Sequence, residues 1–427
     1  MMMMMFYRRQ PSRRAFVESI IATTTITTSI TTRARDGVAG LVLNNNNNNN
    51  DNDNTKSSTS GILLINRRGI AGHSNNNRQQ QQQNQPQNQT APQTNPNNDM
   101  LVQSSPQDGI TSLKWSPTGN FLVATGWDNK VLCYDVQPNG QALPKAAMEA
   151  HEAPVMASVW SPDGSAVFSG GCDNQAKKWD LGSNQTTQVA QHDGPIRHMA
   201  WIQQHNILCT GSWDKTLKYW DARQPNPVSV AQLPERCYAL DVKQNLLVCG
   251  TAERHILVYN MQNPTQPYKQ LYSPLKYQTR CIAAFPDQSG YLVGSIEGRV
   301  AVQHVEDNMK SANFTFKCHR EQNDIYAVNS ISFHPTFGTF VTAGADGNYN
   351  FWDKDSKQRL KAMQKVSCPI SCGDFNRDGT IYAYAASYEW SKGGDNPMAN
   401  QPNNIYLHSV AETEVKPRQK SSLGGRR

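Results

Sequence analysis

The stretch TGSWDKTLKYWD, residues 210–221, contains Trp-Asp twice in twelve residues. Trp220-Asp221 ends a short β-branched and aromatic run. Trp213-Asp214 stands seven residues earlier, beside a Gly-Ser pair, in what reads as a tight turn. A large indole in a turn needs a reason, and the surrounding pattern supplies it. LKWSPTGNFLVATGWDNKVLCYDV (113–136) aligns with SVWSPDGSAVFSGGCDNQAKKWDL (158–181), and both align with MAWIQQHNILCTGSWDKTLKYWDA (199–222). Weaker copies start at residues 239, 282, 331 and 372.

The closing positions of the copies fall at Tyr134, Trp179, Trp220, Tyr259, His304, Trp352 and Tyr406, spaced 45, 41, 39, 45, 48 and 54 residues apart. From Met100 onward, short strand-forming runs alternate with Gly/Asp/Asn/Pro turns and no long helical stripe appears. An all-β unit of about 40–45 residues ending in Trp-Asp is the signature of a WD-repeat propeller. Seven copies predict an all-β, seven-bladed β-propeller over residues 100–415. MLVQSS (100–105) is expected to supply the outer strand of the last blade, closing the ring and covering an open edge.

The repeat carries a recurring polar set: His151, Ser169, Asp173 and Trp179; then His192, Thr210, Asp214 and Trp220; then Thr342, Asp346 and Trp352, with His319 as a fourth member. Ser/Thr precedes Asp by four residues and Asp precedes Trp by six. His, Ser and Asp together suggest a catalytic triad, but recurrence in several repeats points to buried groups that satisfy one another within a scaffold. No phosphate loop, nucleophile motif or metal-ligand spacing stands outside the repeat, so neither an enzyme nor a cofactor is expected. Cys368 and Cys372 have a C-x3-C spacing but no partner pair, and no metal site is expected.

Composition separates a body from its ends. Residues 1–99 hold 10 Lys/Arg and 5 Asp/Glu, residues 100–415 hold 26 and 29, and residues 416–427 hold 5 and none. The net +7 is therefore carried by the ends. Asn44 to Asn50, Gln79 to Gln83 and the Pro/Gln/Asn stretch up to Asn98 offer too little apolar area to offset ordering entropy, so 1–99 reads as a disordered low-complexity tail. Its first 35 residues resemble a mitochondrial presequence, though a basic low-complexity tail is the favoured reading, and RRQPSRR has the composition of a nuclear localisation signal. Nine scattered Cys without a secretory signal read as reduced thiols. There is no run of 18 apolar residues to insert in a membrane.

In each repeat the second strand ends at Gly, and a turn leads to the third. Trp213 and Trp127 (TGWDNK) occupy that turn. Cys172 and Ala345 stand there in the second and sixth repeats, and Arg254 (TAERH) and Arg299 (IEGRV) stand there or close by in the fourth and fifth. Two Trp and two Arg around one face suggest a groove for an extended, partly acidic peptide, with aromatic anchors and Arg clamps. The alternative is that the Trp fill gaps between loops and the Arg form internal ion pairs. A second cluster, Lys354, Lys357, Arg359 and Lys361 in FWDKDSKQRLKAM, follows the third strand of the sixth repeat. It should lie at the opposite face or outer rim, as a solvated loop or as a weak, salt-sensitive phosphate patch.

TGSWDKTLKYWD, LPERCYALDV, TAERHILVY, SPLKYQTRC, GSIEGRVAV, NFTFKCHR, DIYAVNSISFHP, FWDKD, ASYEWSKG and VKPR together resemble the mRNA export factor family of the nuclear pore, over residues 100–418. GSIEGR, SPLKYQTRC and FTFKCHR also occur in a sister family, the mitotic checkpoint WD-repeat proteins, whereas SYEWSKG and the KPR ending favour the export factors. The resemblance implies a Gle-binding segment (GLEBS) of an FG nucleoporin lying across the turn face, with its acidic residues at Arg299. It further implies contact with RNA or ribonucleoprotein, for which Lys354 to Lys361 is the natural candidate. Residence in the nucleus and at the nuclear envelope with shuttling to the cytoplasm, and a role with spindle or microtubule-associated proteins, follow from the same likeness. The sister family would imply checkpoint kinases as partners instead. The Asn/Gln-rich tail is a departure from the family pattern.

Overall fold

Strand-forming runs of about six residues, each stopped by a Gly-, Asp- or Asn-containing turn, cannot bury both faces alone and must stack. In the computed structural model, which describes residues 95–418, they form seven four-stranded antiparallel blades. The strands of each blade, a to d from the centre outward, are consecutive hairpins. Blade 1 comprises Ile110–Trp115, Phe121–Gly126, Val131–Val136 and Ala142–Met148. Blade 2 comprises Val155–Trp160, Ala166–Gly171, Gln175–Asp180 and Gln185–Gln191. Blade 3 is built from Ile196–Ile202, Ile207–Ser212, Thr216–Trp220 and Ser229–Gln232. In blade 4 the strands are Cys237–Lys243, Leu246–Thr251, His255–Asn260 and Lys269–Tyr272. Blade 5 has Thr279–Ala284, Gly290–Ser295, Arg299–His304 and Phe314–Lys317. Blade 6 has Val328–Phe333, Phe340–Gly344, Tyr349–Asp353 and Gln358–Ala362.

Blade 7 takes three strands from the C-terminal end, Ile370–Phe375, Ile381–Ala386 and Asn404–Ser409. Its outer strand is Met100–Leu101, paired antiparallel as Met100 with Leu407 and Leu101 with Tyr406. The strand anticipated over 100–105 is thus present but two residues long. The segment before it is also part of the body. Asp99, assigned by composition to the tail, is 6% exposed. The remainder of the predicted tail, residues 1–94, and the end of the basic terminus, residues 419–427, lie outside the described residues.

The apolar interior is divided among the seven junctions between consecutive blades, one cluster at each. Strand b is sandwiched by neighbouring blades and is buried on both faces in blades 2, 4 and 5. This accounts for its near-continuous apolar sequence where a half-buried strand would alternate. Strand d has one free edge and is correspondingly polar, as in Gln185–Gln191.

The register revises two closing positions. In blades 1 to 4 and 6, Tyr134, Trp179, Trp220, Tyr259 and Trp352 pair with the residue two before the Ser/Thr place of strand b. The same place is filled in blade 5 by Gln303, opposite Tyr291, and in blade 7 by His408, opposite Tyr382. His304 and Tyr406, read as equivalents from spacing, are displaced because blade 7 carries a long b–c connection and blade 5 has no Trp to fix the alignment.

Candidate functional site

The recurring polar set is built from the d–a connection just after strand d, strand b, the b–c turn and strand c. In blade 3, His192 Nδ1 donates to Asp214 Oδ2 at 2.7 Å, and His192 Nε2 lies 2.7 Å from Thr210 Oγ1, which accepts the Trp220 indole N–H at 2.9 Å. Blade 6 repeats this, with His319 to Asp346 at 2.8 Å, His319 to Thr342 at 2.9 Å and Trp352 to Thr342 at 2.9 Å. Gly344 makes room for it, since a Cβ there would stand 2.5 Å from the His319 ring. Blade 2 differs. His151 reaches Asp173 at 2.8 Å and Ser169 at 2.7 Å, but the Trp179 indole donates to Asn184 Oδ1 at 2.9 Å.

The electrostatics are those of a satisfied scaffold. Burial would raise the three aspartates, but hydrogen bonds from their histidines outweigh it and hold Asp173, Asp214 and Asp346 below the usual carboxylate range. Burial also pushes His192 down, against the pull of Asp214. A neutral imidazole donates from Nδ1 and accepts at Nε2, leaving each polar atom of the chain partnered.

Blade 7 rewires this set around a residue from the other end of the chain. Tyr384 takes the Ser/Thr place and His408 the Trp place. Asp99 Oδ2 accepts the hydroxyls of Tyr384 at 2.7 Å and Tyr349 at 3.0 Å, and Asp99 Oδ1 accepts His408 Nδ1–H at 2.7 Å. His408 Nε2 donates to Glu414 Oε2 at 3.0 Å, from the terminal turn Glu412–Val415. Burial disfavours the imidazolium, but the bonds to Asp99 and Glu414 outweigh it and push His408 up to about 9.

The four turn-face residues divide into two groups. Trp213, Arg254 and Arg299 lie on consecutive blades 3, 4 and 5, while Trp127 stands on blade 1, with blade 2 between. Trp127 and Trp213 follow the last residue of strand b, and their backbone N–H groups donate to Gly109 O and Pro195 O. Both rings are half-buried, and the Trp213 Nε1 is buried without a hydrogen-bond partner among the described residues. Glu253 and Arg254 both adopt left-handed backbone, φ 60° and 65°, a conformation uncommon for residues with a Cβ. It is held by Ser273 N–H donating to Arg254 O and by Arg254 Nη1 donating to Leu275 O at 3.2 Å. Arg299 is not in the turn itself. It opens strand c, opposite Lys317 of strand d.

The basic run starts at the other end of strand c, and its first three cations stand on the rim between blades 5 and 6. Lys354 and Lys357 belong to the c–d turn, and Arg359 and Lys361 to strand d. Aromatic rings from both blades underlie Lys354, Lys357 and Arg359, whereas a register shift after Arg359 sets Lys361 opposite Phe351, on the blade 7 side near Glu414. Phe316 packs on Trp352 at 4.7 Å, Lys357 Nζ lies 4.8 Å over Phe314, Lys354 Nζ 5.1 Å over Phe285, and Arg359 5.8 Å from the Trp352 ring. Lys354 also pairs with Asp355 at 2.8 Å. Trp352 therefore serves twice, with its N–H in the buried tetrad and its ring in the rim cluster. Phe285, Phe314 and Phe316 lie outside the basic run itself and belong to no motif of the repeat. The visible signal was FTF, two aromatics at strand spacing on an outer strand that needs only one buried face.

The comparisons agree with this architecture. The family profile described as WD domain, G-beta repeat, matches residues 99–135, 143–180, 183–221 and 311–353. Protein RAE1 of Arabidopsis thaliana is 57% identical over 339 residues, covering 78% of this chain and 97% of that protein. The mRNA export factor GLE2 of Chaetomium thermophilum is 50% identical, and the Poly(A)+ RNA export protein of Schizosaccharomyces pombe 49%, each over 75% of this chain and 93% of the relative.

Proposed function

Because this chain belongs to the WD-repeat family of mRNA export factors, we propose that it is a non-catalytic scaffold of nuclear mRNA export with two working surfaces. The face of the b–c turns takes an extended acidic segment of GLEBS type from an FG nucleoporin, with Trp213, Arg254 and Arg299 as the contiguous anchors and Trp127 at the far end. The rim between blades 5 and 6 contacts RNA or ribonucleoprotein. The protein works in the nucleus and at the nuclear pore, and shuttles to the cytoplasm.

The observation that carries the reading is the rim cluster, in which Lys354, Lys357 and Arg359 each stand over an aromatic ring. Cations with interleaved aromatics suit a single strand, whose phosphates meet the charges while its bases stack. On the turn face, the buried unpartnered N–H of Trp213 supports a docked segment, since a peptide carbonyl would satisfy it.

The test is a pull-down from nuclear extract with the full chain, comparing wild type, Arg299→Glu and the double variant Lys357→Gln/Arg359→Gln. An FG nucleoporin should be retained by wild type and the rim variant and lost with Arg299→Glu. Bound poly(A) RNA, measured after nucleoporin depletion, should fall in the rim variant alone. A nucleoporin held equally by all three would sink the turn-face site, and checkpoint kinases in its place would move the protein to the sister function with spindle partners.

A further inference from the structure

The innermost strands of all seven blades break register at one corresponding point, where a single residue is passed over and bulges. These residues form a ring around the axis of the propeller. Three are short polar side chains, each bound to the first strand-a carbonyl of the next blade. Thr111 Oγ1 donates to Val155 O at 2.6 Å, Asn329 Nδ2 to Ile370 O at 2.9 Å and Ser371 Oγ to Ile110 O at 2.7 Å. Met156 and Tyr238 fill two more positions. The remaining two are Arg197 and Arg280.

Neither guanidinium is committed in the way its neighbours are. Arg197 has no hydrogen bond and no carboxylate within ion-pair distance among the described residues, and Arg280 has only a long contact, 3.4 Å, to Asn329 Oδ1. Both line a central cavity of about 200 Å³ whose wall also carries Lys114, Lys243 and His198. The two carboxylates of that wall are taken. Asp374 lies 3.7 Å from Lys114 Nζ, and Asp241 accepts the backbone N–H groups of Val242 at 2.9 Å and Ala284 at 2.8 Å. His198 Nε2 is buried without a partner. Burial, and then the Arg280 charge, push Arg197 down to about 10, as expected of buried like charges lining one channel.

We propose that this channel binds a small phosphate-class oxyanion between Arg197 and Arg280. Guanidinium forks match tetrahedral oxyanions, and ten N–H donors on two side chains stand largely unused. The cavity, at about 200 Å³, is large enough to admit inorganic phosphate or pyrophosphate.

The experiment is a calorimetric titration and thermal melt of the full chain with inorganic phosphate and with pyrophosphate, against potassium chloride at matched ionic strength. Wild type should bind saturably and melt higher, and Arg197→Gln and Arg280→Gln should each weaken binding by about tenfold or more. Lys310→Gln, exposed on the surface and outside the channel, should bind as wild type. Without ligand, Arg197→Gln should be at least as stable as wild type, because it removes a charge that has no partner. Should that variant fail to fold or melt lower, the guanidinium is already committed within the fold and the proposal is overturned. It is equally overturned if phosphate acts no differently from chloride, if both channel variants bind as tightly as wild type, or if Lys310→Gln alone abolishes binding.

Discussion

His408 joins the two ends of the described chain, and its protonation should be readable as stability. It is held by Asp99 from the segment before the first strand and by Glu414 from the last turn, with side chains 9%, 3% and 14% exposed respectively. Its value is raised from 6.5 to about 9 on folding. A group raised on folding contributes fully below its unfolded value, and the contribution fades as pH rises through the folded one. The gap corresponds to about 3 kcal/mol, present at pH 6 and almost gone by pH 9.5. That is a large share of the roughly 5–15 kcal/mol by which domains are stable. Urea melts of wild type and His408→Gln at half-unit steps between pH 6 and 9 would measure it. Buried thiols such as Cys133, pushed up to about 11, add their own slope above about 8.5 as the unfolded chain ionises. Both proteins share that contribution, so the difference isolates His408. It should be about 3 kcal/mol at pH 6 and shrink to within about 1 kcal/mol at pH 9. Parallel curves across the window would refute the reasoning, as would a variant as stable as wild type at pH 6.

Asp346→Ala should cost about 1–3 kcal/mol at neutral pH by leaving His319 without its acceptor. Because Asp346 is held below its unfolded value, its contribution is present above about pH 4 and lost as pH falls through the folded value, so the variant's acid melts should be flatter than those of wild type. Asn184→Ala should cost about 1–3 kcal/mol by orphaning the Trp179 N–H, and a double-mutant cycle with Trp179→Phe should show coupling between the two. If Trp179 instead relied on Ser169, Asn184→Ala would be neutral. On the rim, Lys357→Gln/Arg359→Gln should lower the slope of log K against log salt for single-stranded RNA by about 1.4, read by fluorescence anisotropy.

What the sequence makes legible follows from which interactions repeat. The blade count and the tetrads of blades 3 and 6 rest on short-range patterns that recur, so each copy checks the others, while the outer strand borrowed from residues 100–101 follows from the need to close the ring. The blade 7 network could not be found that way. Tyr384, His408 and Asp99 replace the repeat's residue types, and their partners lie about three hundred positions apart in the chain. A composition boundary at residue 99 even placed Asp99 on the wrong side. The tetrad departure in blade 2 has a different cause. The offsets are intact, but Asn184 competes for the indole N–H, and that competitor lies outside the motif.

The same reasoning accounts for where the surfaces lie. Strands a to c are fixed by packing between neighbouring blades, strand b on both faces, and the tetrads use the polar groups of the turns that support them. What remains adjustable is the b–c turns, strand d with its neighbouring c–d turn, and the bulged ring of strand a. Each of the three surfaces argued above is made from one of these. The rim shows how little change is needed. Placing Phe314 and Phe316 on the exposed strand of blade 5 gives Trp352 a second ring to pack against, and the cations of blade 6 then stand over a continuous aromatic floor. Trp352→Phe would separate the two roles. It removes the N–H that Thr342 accepts but keeps an aromatic floor, so it should lower stability by about 1 kcal/mol or more while RNA affinity measured on the folded protein changes little. Trp352→Ala should lower both, and an RNA affinity unchanged by that variant would remove the ring from the binding surface.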